Sequence, residues 1–136
     1  WNSLPYIGLG AGAASWQNPV RSQNLLSPEE YCEAILNCSP AFTEQQTCTP
    51  QTTLFDCLMM ALRLEQKGAN SNLVKEISGL DPIVHYEKIW QQLIGQGLIE
   101  FVGDDGEKYI RPTKAGILQL DTILCQLLPD DNQLTV

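Results

Sequence analysis

The clearest hydrophobic period in this chain begins after Thr49-Pro50. Leu54, Cys57, Leu58, Ala61 and Leu62 form a wide apolar stripe at helical spacing that runs out over residues 64–66 and predicts the strongest helix. Lys67-Gly68 ends it, with the glycine suited to a left-handed C-cap. A short helix over residues 72–77 follows, punctuated by Gly79 and Asp81-Pro82. Asp81 caps a third helix, predicted from 83 to about 95, that turns Ile83, Tyr86, Ile89, Trp90 and Leu93 inward. Residues 98–102 and 108–111 read as two strands joined by the turn Gly103-Asp104-Asp105-Gly106. Thr113 caps a last helix carrying Ile117, Leu118, Leu120, Ile123, Leu124 and Leu127. The order helix, short helix, helix, hairpin, helix predicts a winged-helix-like domain over residues 49–128, followed by a polar tail over 129–136.

The first third is patterned differently. Residues 1–18 read as one or two short strands around Gly8-Leu9-Gly10-Ala11-Gly12-Ala13-Ala14-Ser15, a run of the smallest side chains placed after the apolar segment Leu4-Pro5-Tyr6-Ile7. Such a run buries little apolar area, and its usual role is to let a ligand or a neighbouring element approach the main chain. Residues 19–27 read as a polar linker, and residues 38–48 as a second irregular stretch rich in Ser, Thr, Gln and Pro. Between them, Ser27-Pro28-Glu29-Glu30 signals a helix start: Ser as N-cap, Pro at the first helical position, Glu30 closing a capping box. The expected architecture is mainly α with a small β-hairpin. Residues 19–48 are then a linker with one helix between the initial strands and the helical domain.

Composition narrows the partners. At 136 residues, 43% hydrophobic and 18% charged, the chain suffices for one globular domain, or for one domain and a piece of another. No apolar run approaches the roughly 20 residues that cross a bilayer and no signal peptide opens the chain, so the expected protein is cytoplasmic with no transmembrane segment. The chain starts at Trp1 with no initiator Met, which reads as a segment cut from a longer protein. Sixteen acidic against eight basic residues leave a net charge of −8, which disfavours nucleic acid and anionic membranes. Cys32, Cys38, Cys48, Cys57 and Cys125 are odd in number and irregular in spacing; they read as reduced thiols acting as small buried hydrophobes, and no metal site is expected.

Candidate chemistry is sparse. Gly8, Gly10 and Ala13 fit the dinucleotide pattern G-x-G-x-x-A, but that pattern works by opening a helix whose N-terminus holds a pyrophosphate. Pro19 arrives six residues after Ala13 and leaves no room for the helix. The helix-and-hairpin order invites comparison with DNA-binding modules, yet residues 81–128 hold seven acidic and four basic side chains, whereas a duplex-binding face is basic. His85, the only histidine, reads as structural beside Tyr86; Met59-Met60 read as core. Asp56 and Arg63, seven residues apart on one helix face, read as ion-pairing groups. No nucleophile–base arrangement and no carboxylate pair can be placed, so no catalytic residue is assigned.

Three stretches, in order, resemble the oxygen-independent coproporphyrinogen III oxidase family and its haem-chaperone relatives. Residues 4–15 resemble that family's YxGxGxGAxS segment. Asp56-Cys57-Leu58-Met59-Met60-Ala61-Leu62-Arg63-Leu64, followed by Gly68, resembles its E-x-L-M-L-G-L-R-L…G helix. Leu93 to Ile99, then Ile110-Arg111-Pro112-Thr113 through Gly116 to Asp121, resemble its closing L-x-x-x-G-L-I…I-R-L-T-x-x-G-x-x-x-x-D. Asp56 stands where Glu is usual, Ala61 where Gly is usual and Pro112 where Leu is usual, which suggests a diverged member.

The family comprises radical S-adenosylmethionine proteins: an open α/β barrel holding a 4Fe-4S cluster, then a helical C-terminal domain. The resemblance implies that residues 1–18 are the end of the barrel, that 49–128 are the C-terminal domain, and that the missing N-terminal barrel is this chain's partner. It also implies a parent protein that either decarboxylates porphyrinogen propionates oxidatively or carries haem. The cluster motif C-x3-C-x2-C is absent from this chain, so S-adenosylmethionine and the cluster are implied for the parent alone. The implied cofactor-binding residues are Gly8, Leu9, Gly10, Ala11, Gly12, Ala13 and Ser15. The alternative is a non-catalytic, winged-helix-like protein-interaction module.

Overall fold

The computed structural model describes residues 5–64, 66–103 and 106–129. The described residues divide into two compact units, one over residues 5–49 and one over residues 50–129. Across the described residues the fold is mixed α/β, with seven helices and two three-stranded antiparallel sheets. None of these helices is long and apolar enough to cross a membrane.

In the first unit, β1 (Ala14–Gln17) turns through the cis peptide Asn18-Pro19 into β2 (Val20–Asn24). The helix α1 (Pro28–Leu36) follows, and β3 (Phe42–Thr47) returns to give the strand order β1-β2-β3. Ser27 caps α1 as the sequence predicts, its Oγ accepting from the Glu30 amide at 3.3 Å. The carboxylate that meets the cap is Glu29's, which accepts from the Ser27 hydroxyl at 3.0 Å. Two expectations are corrected here: the stretch 19–27, read as linker, contains β2, and the stretch 38–48, read as irregular, contains β3. Their sequences, VRSQN and FTEQQT, show no apolar alternation: no residue of β2 is fully buried, four of its five being half-buried, and all six residues of β3 are exposed. Among the described residues of this unit only Trp16 and Cys48 are buried, and α1 buries none.

The second unit holds the hydrophobic core. Its elements are α2 (Pro50–Ala61), β4 (Ala69–Asn70), α3 (Ser71–Ser78), α4 (Pro82–His85), α5 (Glu87–Gly95), β5 (Ile99–Val102), β6 (Tyr109–Pro112), α6 (Lys114–Leu118) and α7 (Leu120–Gln126). The hairpin is present, and β4 joins it to make a sheet of order β4-β6-β5. The stripe on α2 packs as its period requires, with Leu54 and Leu58 fully buried and Leu62 just beyond them, against Trp90, Leu93, Ile99, Ile110, Ile123 and Leu127. The short helix is capped by Asn70, whose Oδ1 accepts from the amides of Asn72 and Leu73, and ends on Gly79 in the left-handed region.

Two helices that the sequence presents as continuous are broken. The segment from 83 to 95 divides at Tyr86 (φ −110°), which ends α4 and starts α5. The Tyr86 ring is buried and its hydroxyl donates to the Leu127 carbonyl at 2.8 Å, while the Trp90 indole donates to the Pro82 carbonyl at 2.8 Å. The last helix divides at Gln119 (φ −119°). Leu118, placed among the apolar residues of the last helix, ends α6 and is 87% exposed.

The start of α6 is clamped to the chain before β5. The Thr113 amide donates to the Leu98 carbonyl at 2.9 Å, and the Thr113 hydroxyl donates to the Gly97 carbonyl at 2.7 Å while accepting from the Gly116 amide at 3.1 Å. Gly116 lies so close that a Cβ there would overlap the Leu98 carbonyl oxygen. Gly116→Ala should therefore destabilise the protein by about 2 kcal/mol in chemical denaturation, since main chain must move to admit the methyl group.

Burial pushes the Tyr86 hydroxyl up from its ordinary value of 10.0 to about 12. The native state thus holds this proton in a range where the unfolded chain has released it, so stability is complete below pH 10 and falls as pH rises towards 12. Denaturation midpoints followed across that window should decline, and Tyr86→Phe should remove this contribution to the decline.

Candidate functional site

The glycine run is the tip of a loop closed at its base by main-chain bonds. Tyr6 and Trp16 exchange N–H···O=C bonds of 2.9 Å in both directions. Every site residue expected from the sequence lies between them, so the structure places Gly8, Leu9, Gly10, Ala11, Gly12, Ala13 and Ser15 on one loop.

A segment so poor in side chains must find partners for its main chain elsewhere. The Gly8 amide donates to Ser15 Oγ at 3.0 Å, the Gly10 amide to Tyr31 Oη at 3.2 Å, the Gly12 amide to the Leu25 carbonyl at 2.8 Å, and the Ala13 amide to the Gly10 carbonyl at 3.3 Å. Asn24 takes the carbonyls: its Nδ2 donates to Gly8 O at 3.2 Å and Gly10 O at 2.9 Å, while its own amide donates to Ala13 O at 2.9 Å. Asn24 lies at a register shift between Gln23 and Asn24 in the β2–β3 ladder, the kind of irregularity that re-aims a side chain. Gly10 and Gly12 have φ of 102° and 71°, in the region that favours glycine. Gly8 has a different reason to be glycine: a Cβ there would overlap the Ala14 carbonyl oxygen.

The consequence is chemical. Four amides that a phosphate or carboxylate would need are already committed. Ser15 turns its hydroxyl to Gly8 instead of presenting it. Outward stand Leu9, 86% exposed, and Ala11, with Tyr6 and Ile7 also exposed nearby in sequence. The loop thus offers an apolar face of fixed shape. Asn24 and Tyr31, which fix it, carry no local sequence signal, being 14 and 21 residues from Gly10.

Elsewhere the expected chemistry is structural. Cys48 and Cys57 are buried as read, but Cys32, Cys38 and Cys125 are exposed, a correction that follows for Cys32 from α1 burying none of its residues. The described residues hold no group of three or more His, Cys, Asp or Glu able to bind a metal ion. Exposed His85 lies edge-on to Tyr86, with ring centroids 4.7 Å apart. Arg63 approaches Asp121 at 4.0 Å and donates to the Met59 carbonyl. An open depression in the second unit is lined by Ser71, Asn72, Asp81, Ile83, Val84 and Lys108. Its Asp81 is occupied: it caps α4 and pairs with Lys75 at 3.2 Å. Burial pushes that carboxyl up, but the Lys75 and amide hydrogen bonds outweigh it and hold the group below its ordinary value.

No family model and no curated protein matches the sequence. The fold is similar to that of coproporphyrinogen III oxidase (HemN) from Escherichia coli, a radical SAM enzyme, with a TM-score of 0.64 and 16% identity. The match covers 93% of this chain and 29% of that one. The family resemblance carried by the three sequence stretches is thus met by a likeness of fold along nearly the whole chain.

If the loop's geometry rests on the missing Cβ at position 8, Gly8→Ala should open it. The expected result is faster hydrogen exchange at the amides of Gly10, Gly12 and Trp16, measured by NMR, with those of the second unit's core unchanged.

Proposed function

We propose that this chain is the C-terminal part of an oxygen-independent coproporphyrinogen III oxidase-like radical SAM protein, cytoplasmic and engaged in porphyrin synthesis or haem delivery. The observation that carries the reading is the fold likeness, which spans 93% of this chain but only 29% of the enzyme. The remaining length of such a protein would be the barrel. Residues 1–18 would be its end, residues 19–48, which carry β2, α1 and β3, would follow it with β2 and β3 in one sheet with β1, and 49–128 would form a winged-helix-like domain that covers the barrel mouth and shapes the cavity for a porphyrin or haem. The 4Fe-4S cluster and S-adenosylmethionine would supply the radical chemistry. The described residues do not fit the cluster, having no group of ligands for it. The loop fits a ring face better than an anionic group, because Leu9 and Ala11 point outward and the Gly8, Gly10, Gly12 and Ala13 amides are spent. This part of the protein has no catalytic residue of its own; its role is to shape and to exclude water.

A second reading draws support from the helix, helix, hairpin, helix order of the second unit: a winged-helix-like module that binds another protein without catalysis.

The coding sequence upstream of the Trp1 codon separates the two. The proposal requires a continuous reading frame of about 250 further residues with C-x3-C-x2-C near its start, the length and ligand set of a barrel that holds an iron–sulfur cluster. A start codon close to Trp1 overturns it in favour of the interaction module.

A further inference from the structure

The first unit is ordered by polar contacts that run between its elements, with almost no core beneath them. Among its described residues only Trp16 and Cys48 are buried, while Leu9, Leu26, Ile35 and Leu36 are more than half exposed. Cys32, Cys38 and Cys48 are free thiols, so no disulfide staples it. A unit of so few residues lies near the limit at which a chain holds its fold without a staple or a partner. The second unit is held by a different force: Leu54, Leu58, Trp90, Leu93 and Ile123 belong to one buried cluster. Two units so unequal in burial have unequal free energies of opening.

Within the first unit the polar contacts depend on one another. The loop takes its partners from three elements: Ser15 on β1, Asn24 on β2 and Tyr31 on α1. The Gly12 amide adds the Leu25 carbonyl, just past β2. In turn β2 is the central strand, between β1 and β3. At the register shift beside Asn24 the Thr43 hydroxyl donates to the Gln23 carbonyl at 3.1 Å, and at the other end of the ladder the Cys48 amide donates to the Pro19 carbonyl at 2.7 Å. Displacing β2 therefore removes both ladders and most of the loop's partners at once, and neither α1 nor β3 has a buried residue to keep it in place. We infer that residues 5–49 open and close as one cooperative unit while residues 50–129 stay folded, so that the glycine loop has its binding shape only in the closed state. A molecule that seats on the loop then stabilises β1, β2, β3 and α1 together, and a substitution that loosens any of them weakens the seat by shrinking the closed fraction. This coupling is indifferent to what the loop binds.

Native-state hydrogen exchange of the full chain, followed by NMR in sub-denaturing urea, tests the coupling. The amides of Gly12, Trp16, Asn24 and Cys48 should share one opening equilibrium with one urea dependence, and should exchange faster than those of Leu62, Trp90 and Leu98. Asn24→Ala removes two hydrogen bonds from the closed state. It should speed exchange at Cys48, at the far end of the ladder, by the same factor as at Gly12, about thirtyfold, with Trp90 and Leu98 unchanged. Tyr31→Phe removes one acceptor and should give the same pattern at about fivefold, which reads the coupling even where Asn24→Ala leaves the first unit wholly open. Acceleration confined to Gly8, Gly10 and Gly12 overturns the inference in favour of a local loop opening. Exchange of both units at one common rate overturns it too, as does acceleration of Trp90 and Leu98 by either variant, because the chain would then open as a single body.

Discussion

Both units depend on one constraint, that of main chain brought into contact with main chain where a side chain would stand in the way. At Gly116 the first turn of α6 rests on the Leu98 carbonyl, and Thr113 completes the contact with hydrogen bonds to Gly97 and Leu98. This joins the last two helices to the start of β5 and sets where Ile123, Leu124 and Leu127 enter the core. At Gly8 the same kind of approach, against the Ala14 carbonyl, closes the loop over β1. A methyl group at either position is a small volume, yet its neighbour is main chain: the Leu98 carbonyl accepts from the Thr113 amide, and Ala14 is the first residue of β1.

The second unit was largely legible because its signals are local. The apolar stripe of α2, the Asp81 cap and the glycine that ends α3 are all decided by residues within a few positions of one another, whereas Asp104-Asp105 of the expected turn lie outside the described residues. Its two helix breaks were not legible. The break at Tyr86 coincides with a hydroxyl bonded to Leu127, 41 residues away, and no propensity at Tyr86 announces it. In the first unit the strands β2 and β3 exist through pairing with each other and with β1, not through burial, and a strand with no buried face leaves no alternation to read. The glycine run stood out at once as a composition. What gives it shape, the Asn24 amide and the Tyr31 hydroxyl, lies on β2 and α1 and becomes visible only when those elements are in place.

That shape also decides between chemistries that composition leaves open. A glycine-rich segment with free amides is a nest for anions, and the G-x-G-x-x-A spacing alone is compatible with one. Here the amides of Gly8, Gly10, Gly12 and Ala13 donate within the protein, and the chain continues into a strand, not a helix with a positive end. The loop therefore keeps those four amides within the protein and leaves Leu9 and Ala11 exposed. A likeness of fold alone would not distinguish these, because a fold hosts many functions while the groups at the site determine one.

The two units are stabilised by different means. The second buries sixteen hydrophobic residues in one cluster, which is sufficient to order helices and a small sheet. The first buries Trp16 and Cys48, and its order rests on ladder bonds and on the polar clasp around the loop. Hydrogen bonds contribute only about 1 kcal/mol each when water competes for the same groups, so a unit held in this way is sensitive to every polar partner it has. Replacing Asn24 removes two such bonds at once, whereas replacing an exposed residue of α1 removes none of the ladder. Within the first unit, then, the residues that matter for stability and those that set the shape of the candidate site are the same few polar side chains.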